Sequence, residues 1–253
     1  MGLNKEQLQR YKRHTVMKEI GIQGQEKICA SKVLVIGVGG IGSPAALYLA
    51  AAGIGTIGLA DGDKVDVSNL QRQIIHSACD IGRLKTISAK ERIAAINPDV
   101  KVVTYDTWVD DSNIADIIKD YDFIIDGTDN FVAKFLINDA CVIGKKPFSH
   151  GGVMAFVAQT MTYVPGSTCY RCVFTAPPPI GELPTCAEMG VLGAVVGILG
   201  TIQATEALRY LVGAGELLLN RLLIFDALGM SFRTVKFIRN LKCSTCGVNY
   251  FNN

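Results

Sequence analysis

Short apolar runs alternate with longer segments of mixed polarity through the first part of the chain. The runs are rich in β-branched residues, and several of the segments between them place apolar residues at helical spacing. Continuous apolar runs are typical of strands buried on both faces, and strands that alternate with helices form parallel sheets. The pattern therefore predicts an α/β fold. The predicted strands are 33–37, 56–60, 102–105, 121–127 and 148–149, and the predicted helices are 4–20, 43–52, one from Lys85, 111–119 and 131–142.

The second half of the chain has a different pattern. Residues 153–164 are rich in β-forming side chains and predict an antiparallel strand, and further strands are predicted at 222–225 and 232–238. The most apolar stretch, 191–202, is too short to span a bilayer and is followed by polar side chains at Gln203 and Glu206. It predicts a buried helix over about 190–212.

The composition argues against several classes of partner. The chain has 253 residues, 49% of them hydrophobic and 19% charged, which suffices for one α/β domain with a full core. A net charge of +2 without a long basic run argues against nucleic acid and membranes as partners. The polar N-terminus does not resemble a signal peptide, so the eight cysteines predict a reducing, cytoplasmic setting with metal or redox roles.

A glycine-rich turn follows the first predicted strand. Gly37, Gly39 and Gly42 form a G-x-G-x-x-G pattern that opens a helix, and Asp61 ends the second strand about 20 residues later. Glycine is needed because a Cβ atom would keep phosphates away from the backbone, and the helix N-terminus offers free N–H groups. A carboxylate at Asp61 can hold ribose hydroxyls. The unit predicts a bound adenine nucleotide without specifying which one.

A polar block after Asp61 exceeds what a nicotinamide-binding unit needs. Arg72 and Asn69 are predicted phosphate contacts, because a guanidinium group binds phosphate oxygens as a fork; a charged loop with local Asx turns is the alternative. Lys85 opens a helix, where the dipole disfavours a cation unless an anion binds. Asp129 follows the fourth strand, at the rim where ligands of parallel sheets gather. It is a candidate Mg²⁺ ligand, or alternatively a helix cap.

Two C-x-x-C pairs lie far apart in the chain, Cys169 with Cys172 and Cys243 with Cys246. With no secretion signal, such pairs predict a tetrahedral Cys₄ zinc site that ties the C-terminal segment to the core. A redox role is the weaker alternative, because neither pair opens a helix of a thioredoxin-like unit. Between the pairs, four prolines within 175–186 predict a long exposed loop that ends at Cys186.

Taken together and in this order, the motifs resemble the ThiF/MoeB/HesA family of prokaryotic relatives of ubiquitin-activating enzymes. The resemblance runs over nearly the whole chain. It implies one adenylation domain over 1–253, with a nucleotide-binding half at 33–150 and a carrier-binding and zinc half at 151–253. The implied sheet is Rossmann-like, doubly wound and mainly parallel, and continues into antiparallel strands. The motifs are GVGGIG at 37–42, Leu59 with Asp61 and Asp63, SNLQRQ at 68–73, Lys85, TDN at 128–130, CYRC at 169–172 and CSTC at 243–246.

The activity implied by the resemblance is ATP-dependent adenylation of the C-terminal glycine of a ubiquitin-like sulfur-carrier protein. A terminal carboxylate is already ionised near neutral pH, so this reaction needs positioning and charge neutralisation rather than a general base. Arg72, Lys85 and Asp129 with Mg²⁺ suit those roles, and by resemblance Arg13 reaches into the partner's site of a homodimer. Residues expected at the nucleotide are Gly37, Gly39, Gly40, Gly42, Asp61, Asp63, Ser68, Asn69, Gln71, Arg72, Lys85, Thr128, Asp129 and Asn130.

Two other function classes fit part of the pattern. A nicotinamide-dependent oxidoreductase would also use the glycine turn and Asp61, but SNLQRQ, Lys85 and TDN lie on the phosphate side. A catalytically silent scaffold is the other, although intact Arg72, Lys85 and Asp129 argue against lost catalysis. By resemblance, Cys186 is a candidate for a covalent bond to the carrier's C-terminus, and a bystander role is its alternative.

The identity of the carrier stays open from the sequence. Thiamin-type and molybdopterin-type carriers both present C-terminal Gly-Gly tails, and residues 43–49 and 59–63 lean to the thiamin side. Residues 225–233 lean to the molybdopterin side. Seven residues follow Cys246, so we expect sulfur to come from a separate donor protein.

Overall fold

Five parallel strands form one half of a continuous sheet. The computed structural model describes residues 2–179 and 186–247, with side chains from Glu188 onward in the second range. Because side chains alternate along a strand, Val33 and Val35 of the first strand face one core, and Leu34 and Ile36 face the other. The parallel strands are β1 (Lys32–Ile36), β2 (Thr56–Ala60), β3 (Lys101–Tyr105), β4 (Phe123–Asp126) and β5 (Phe148–Met154), in the order β3-β2-β1-β4-β5.

Helices cover both faces of this sheet, as the buried runs require. The third, fourth, fifth and tenth helices pack on the face of Val33 and Val35, and the sixth and seventh pack on the opposite face. The helices are α1 (Lys5–Arg10), α2 (Lys12–Thr15), α3 (Gly21–Ala30), α4 (Gly42–Ala52), α5 (Lys85–Ile96), α6 (Ile114–Ile118), α7 (Phe131–Ile143), α8 (Tyr170–Val173), α9 (Cys186–Met189) and α10 (Gly193–Val212).

Antiparallel strands complete the sheet. After β5 come β6 (Val157–Tyr163), β7 (Arg221–Asp226) and β8 (Ser231–Lys236), each antiparallel to its predecessor. The eight strands lie in the order β3-β2-β1-β4-β5-β6-β7-β8. The predicted α/β fold, with a parallel sheet that continues into antiparallel strands, is thereby confirmed.

Two predicted strands, 148–149 and 153–164, are wrong in their bounds. Residues 153–164 do not form a single strand, because β5 extends to Met154 and a tight turn separates it from β6, with Met154 paired to Val157. Ala155 sits in this turn with a φ of 50°. A left-handed turn is usually marked by glycine or asparagine, and an alanine there gives no signal in the sequence.

The helix predicted over 4–20 is also wrong. It breaks at Tyr11 into α1 and α2, and the unpredicted α3 follows. The Tyr11 ring is buried against Gly53, where an added Cβ atom would lie 2.4 Å from the phenol oxygen. That oxygen accepts a hydrogen bond of 2.9 Å from Asn97 Nδ2. Tertiary packing therefore sets the break, which local sequence does not reveal.

The helix α10 is, in length and composition, apolar enough to cross a membrane, with 20 residues. In the fold it packs against α4, β5 and β6. The buried Gln203 donates from Nε2 to the carbonyl oxygens of Asp126 and Ser149, at 3.1 and 2.9 Å. The buried Glu206 accepts from Thr162 Oγ1 at 2.7 Å. These contacts agree with the predicted buried helix, which starts three residues later than expected.

Candidate active site

A cavity of about 650 Å³ opens at the carboxyl ends of β1, β2 and β4. The strand order reverses at β1, because β2 and β3 lie on one side of it and β4 on the other. Open parallel sheets bind ligands in the crevice at such a reversal. The cavity wall includes these residues expected at a nucleotide: Gly37, Gly39, Gly40, Asp61, Asp63, Ser68, Gln71, Arg72, Lys85, Thr128, Asp129 and Asn130.

The glycine turn has no room for side chains. Gly37 has a φ of +87°, and a Cβ atom on Gly42 would lie 2.0 Å from the Gly37 carbonyl oxygen. A Cβ atom on Gly40 would lie 2.8 Å from Val196 Cγ1. Gly42 itself does not line the cavity, so its role is the close packing that lets α4 begin directly at the turn. At the start of that helix the Ser43 N–H donates to the Gly39 carbonyl at 2.9 Å, whereas the N–H groups of Gly39, Gly40 and Ile41, which line the cavity, have no hydrogen-bond partner among the described residues.

Asp61 is buried directly after β2 and hydrogen-bonds to the glycine turn. Its Oδ2 accepts from the Val38 N–H and its Oδ1 from the Asp63 N–H, both at 2.8 Å. Burial raises the pKa of Asp61, and the positive charge of Lys85 opposes this rise. The carboxylate thus holds two backbone segments at the cavity edge while remaining part of its wall.

Lys85 lies at the start of α5 and points to the same rim. Its ammonium donates to Asp63 Oδ2 at 2.9 Å; the Lys85 side chain is 7% exposed and that of Asp63 is 48% exposed. An ammonium group has three donors. Within the part of the chain that the structure describes, Asp63 is its hydrogen-bond partner, so two donors remain for an anion in the cavity.

Arg72 lies along the glycine turn. Its Nη1 donates to the Ser68 carbonyl at 3.0 Å, and its Cγ lies 3.5 Å from where a Cβ atom of Gly40 would be. Asn69, by contrast, is outside the cavity wall, and its Oδ1 accepts from the Asp66 N–H at 3.1 Å. Local turn formation, the alternative given for this loop, therefore describes Asn69, whereas Arg72 lines the cavity.

The TDN segment follows β4 at the opposite rim. Thr128 donates from its N–H and its hydroxyl to Asp126 Oδ1, at 3.0 and 2.6 Å. Asn130, not Asp129, caps α7, because its Oδ1 accepts from the Ala133 N–H at 2.9 Å. Asp129 is exposed at the cavity wall, so its carboxylate is available to a ligand.

Behind this segment lies a buried ionic cluster that sequence reasoning missed. Lys134 donates to Asp126 Oδ2 at 3.2 Å, to the Thr128 carbonyl at 2.7 Å and to the Gly151 carbonyl. His150 Nδ1 donates to Asp126 Oδ2 at 3.0 Å. Burial alone would raise the pKa of Asp126, but Lys134 and His150 lower it to about 2. The Thr128 carbonyl, immediately before Asp129, is thus held in place by Lys134.

Two further cavity residues were not predicted. The side chain of Gln73 is buried in the wall, and its Oε1 has no hydrogen-bond partner among the described residues. The indole of Trp108 lies over Gly62, where an added Cβ atom would be 2.8 Å from the ring, yet it is 59% exposed. Trp108 follows β3 closely, so the rule that ligands gather at carboxyl ends of strands could have found it.

His76 joins the glycine turn to the helix of Lys85. Its Nε2 donates to the Val38 carbonyl at 3.1 Å, and its Nδ1 accepts from Ser88 Oγ at 2.8 Å. The carbonyl acceptor places the ring proton on Nε2. Burial lowers the pKa of His76, so the ring is neutral near pH 7. The sequence had suggested no role for this residue.

The two cysteine pairs meet at α8. Sulfur–sulfur distances are 3.8 Å for Cys169 to Cys172, 3.6 Å for Cys169 to Cys243 and 3.3 Å for Cys172 to Cys246. All four sulfurs lie within 4.8 Å of one another. A tetrahedral zinc site with bonds of about 2.3 Å has sulfur–sulfur edges of about 3.8 Å. The predicted clustering is confirmed, and the donor set fits such a metal.

Arg13 and Cys186 are the remaining predicted site residues. Arg13 is exposed on α2 and does not line the cavity of its own chain. The backbone of Cys186 begins α9, but its side chain lies outside the described residues, as do residues 180–185 of the predicted loop. The structure therefore does not bring Arg13 to the rim of its own chain's cavity.

Comparison with known proteins agrees with the motifs. The model of the ThiF family matches residues 11–247. The chain is 45% identical to the probable adenylyltransferase/sulfurtransferase MoeZ of Mycobacterium tuberculosis, over 92% of this chain and 61% of MoeZ. It is 43% identical to the SAMP-activating enzyme E1 of Haloferax volcanii, over 98% of this chain and 92% of that enzyme. The sulfur carrier protein adenylyltransferase of Thermus thermophilus is 40% identical, over 98% and 93%.

Solved structures of this fold include E. coli MccB. A crystal structure of MccB with ATP matches with a TM-score of 0.83 and 25% identity, over 97% of this chain and 75% of that one. The family model covers most of the chain, and relatives above 40% identity align along nearly all of it. The chain therefore belongs to the ThiF family.

Proposed function

We propose that this chain is an ATP-dependent adenylyltransferase that activates the C-terminal glycine of a ubiquitin-like sulfur-carrier protein. The observation that carries the proposal is the convergence of Arg72, Lys85 and Asp129 on one cavity beside the glycine turn. The similarity to the sulfur carrier protein adenylyltransferase of Thermus thermophilus and to the SAMP-activating enzyme E1 of Haloferax volcanii supports it. Because the chain spans 61% of MoeZ, the sulfurtransferase activity in that name is not carried over.

In the proposed complex the nucleotide lies along the cavity from the glycine turn to Trp108. The phosphates lie at the glycine turn and the start of α4, where N–H groups and the helix dipole attract anions. The ribose lies at Asp61, whose carboxylate oxygens retain lone pairs after their backbone hydrogen bonds. Trp108 then lies on the base side. E. coli MccB, which has the same fold, has been crystallised with ATP, and this supports a nucleotide as the ligand.

The reaction needs no proton transfer. A carboxylate oxygen of the carrier attacks the α-phosphorus, and the bond from that phosphorus to the bridging β-phosphate oxygen breaks. Pyrophosphate leaves with the electron pair, and the carrier retains AMP as an acyl-adenylate. Lys85 and Arg72 offset charge on the phosphates. Asp129 would hold Mg²⁺, which supplies further charge neutralisation when bound.

The four-cysteine cluster is proposed to hold one structural zinc ion. Four protein ligands close the coordination sphere, so no position is left for substrate. Elemental analysis of freshly purified protein should find one zinc per chain, and protein with unmodified thiols and no zinc would contradict this. All the described cysteines are free, which supports the proposal of a reducing, cytoplasmic setting.

A homodimer is proposed to complete each active site through Arg13. The exposure of Arg13 on α2, away from its own cavity, supports a role in a partner subunit. Arg13→Ala and Asp129→Ala proteins should each be inactive alone, and mixed dimers should regain part of the activity, since one of their two sites has both residues. No recovery after verified subunit exchange would argue against this role.

Cys186 remains a candidate for covalent attachment of the carrier, with a bystander role as its alternative. A thiolate is a strong nucleophile toward acyl phosphates. Cys186→Ser should keep pyrophosphate exchange and slow sulfur transfer, with both rates measured on one preparation and a separate sulfur donor present. An unchanged thiocarboxylate yield would remove the covalent role.

The test of the main proposal is ATP–pyrophosphate exchange with a panel of purified carriers of the thiamin and molybdopterin types. Arg72→Ala, Lys85→Ala and Asp129→Ala should each reduce exchange at least about tenfold. Lys90→Ala and Arg92→Ala are matched controls, because both side chains are exposed on α5 outside the cavity. Full activity in all three cavity variants, or no exchange with any carrier, would overturn the proposal.

A further inference from the structure

A single carboxylate contacts both cysteine loops. Asp139, on α7, accepts from Arg171 Nε on Oδ1 at 2.7 Å and on Oδ2 at 3.0 Å, and from Arg171 Nη2 on Oδ2 at 2.7 Å. Thr245 donates its hydroxyl to Asp139 Oδ1 at 2.9 Å. Arg171 lies between the cysteines of the first pair and Thr245 between those of the second. Two segments far apart in sequence are thus hydrogen-bonded to one side chain.

Further contacts near Asp139 hold the first cysteine loop against α7. The neighbouring Asn138 is buried and accepts the Tyr170 N–H on its Oδ1 at 2.8 Å. The Arg171 guanidinium lies 4.6 Å from the centre of the Phe135 ring. The first cysteine loop therefore meets α7 through its backbone, its charge and an aromatic face. Among the described residues, Asp139 is the one whose side chain hydrogen-bonds to both loops.

A residue that hydrogen-bonds to both cysteine loops helps a four-thiolate site to form. Thiolates repel one another before a cation binds, and two separate segments lose conformational freedom when a metal joins them. A third element that already holds both loops reduces that cost. Residues that orient metal ligands from outside the coordination sphere commonly change metal affinity by about 10–100-fold.

We propose that Asp139 is a positioning residue for the metal centre: it holds the two C-x-x-C loops in register without ligating the metal. The inference rests on the proposal that the cluster binds zinc, and it does not depend on the adenylation chemistry. The alternative is an ordinary ion pair between Asp139 and Arg171, which are 30% and 22% exposed. Exposed pairs of that kind stabilise proteins weakly and would leave zinc retention unchanged.

The experiment measures zinc transfer from the purified, zinc-loaded protein to an excess of a chromogenic chelator. Asp139→Asn should release zinc at least about tenfold faster than wild type. Thr245→Val keeps the shape of the side chain and loses one hydrogen bond, so a smaller acceleration is expected. Asp116→Asn is the matched control, because Asp116 pairs with Lys119 on an exposed helix turn, and its release rate should equal that of wild type.

A second readout separates positioning from general stability. The shift in melting temperature on chelation of zinc should be smaller for Asp139→Asn than for wild type, because less of its stability depends on the metal. Equal shifts, or wild-type release from zinc-loaded Asp139→Asn, would overturn the inference. If Asp139→Asn does not fold, Arg171→Lys and Thr245→Val carry the test, and unchanged release from both would overturn it. Wild type without zinc would instead overturn the metal assignment, and the inference with it.

Discussion

Two lysines near the cavity are equally buried and differently partnered. The side chains of Lys85 and Lys134 are each 7% exposed, and each pairs with a carboxylate. Lys134 meets Asp126, which is 1% exposed, and also donates to two backbone carbonyls. Lys85 meets Asp63, which is 48% exposed, and has donors to spare.

The difference shows that burial alone does not mark a functional cation. An ammonium with all three donors used is part of the framework, because moving it would leave a buried carboxylate unpaired. An ammonium with unused donors and a partner that water can solvate can exchange that partner for a phosphate. Lys134 is the first kind and Lys85 the second, although both lie near the start of a helix.

The largest expected effect comes from replacing Lys134, whose three donors are all used. Lys134→Met should lower the free energy of unfolding by about 3–5 kcal/mol, because Asp126 is left as a buried charge without its cation. Urea denaturation at pH 7.5 measures it. Asp126→Asn combined with Lys134→Met should recover part of the loss. A decrease below about 1 kcal/mol in the single variant would mean that the two lysines do not differ in kind.

The second prediction concerns Lys85 on the same scale. Lys85→Met should cost at least tenfold in carrier-dependent pyrophosphate exchange, about 1.4 kcal/mol in the barrier. Its free energy of unfolding should change by less than about 1 kcal/mol, because Asp63 becomes hydrated when its partner is removed. Both quantities come from one preparation. A variant that unfolds like Lys134→Met while keeping its activity would reverse the comparison.

The smallest expected effect concerns His76. Its ring hydrogen-bonds to the glycine turn and to the helix of Lys85. Burial lowers its pKa in the folded protein, so below about pH 6.5 the unfolded chain binds the extra proton more readily. The contribution of His76 to the free energy of unfolding is present above that pH and is lost as the pH falls, by up to about 1 kcal/mol between pH 6.5 and 5.5.

His76→Gln removes that titration. As the pH falls from 7.5 to 5.5, the free energy of unfolding of wild type should therefore decrease relative to that of the variant. His14→Gln, which replaces a half-buried ring on α2, serves as the control. A pH-independent difference between wild type and His76→Gln would show that the folded protein does not disfavour the charged ring.

The sequence predicts the sheet and the residues at its carboxyl edge better than the buried ionic cluster beneath them. Buried parallel strands are continuous apolar runs, and side chains after their carboxyl ends must meet at one edge, so residues such as Asp61 and Asp129 could be placed together. Lys134 could not, because a lysine within an apolar helical pattern has the same local signature whether it faces water or Asp126. The turn at Ala155 and the break at Tyr11 also depend on tertiary contacts.

The change from parallel to antiparallel pairing has a consequence for the backbone beside the cavity. β4 and β5 pair over only two residue positions, Ile124 with Phe148 and Ile125 with Ser149. Beyond them the two strands part, and the buried carbonyl groups at the fork need hydrogen-bond donors from another element. The amide of Gln203 donates to one carbonyl on each side of the fork. One helix side chain thus substitutes for a missing stretch of strand, which lets the sheet divide without leaving those two carbonyls unpaired.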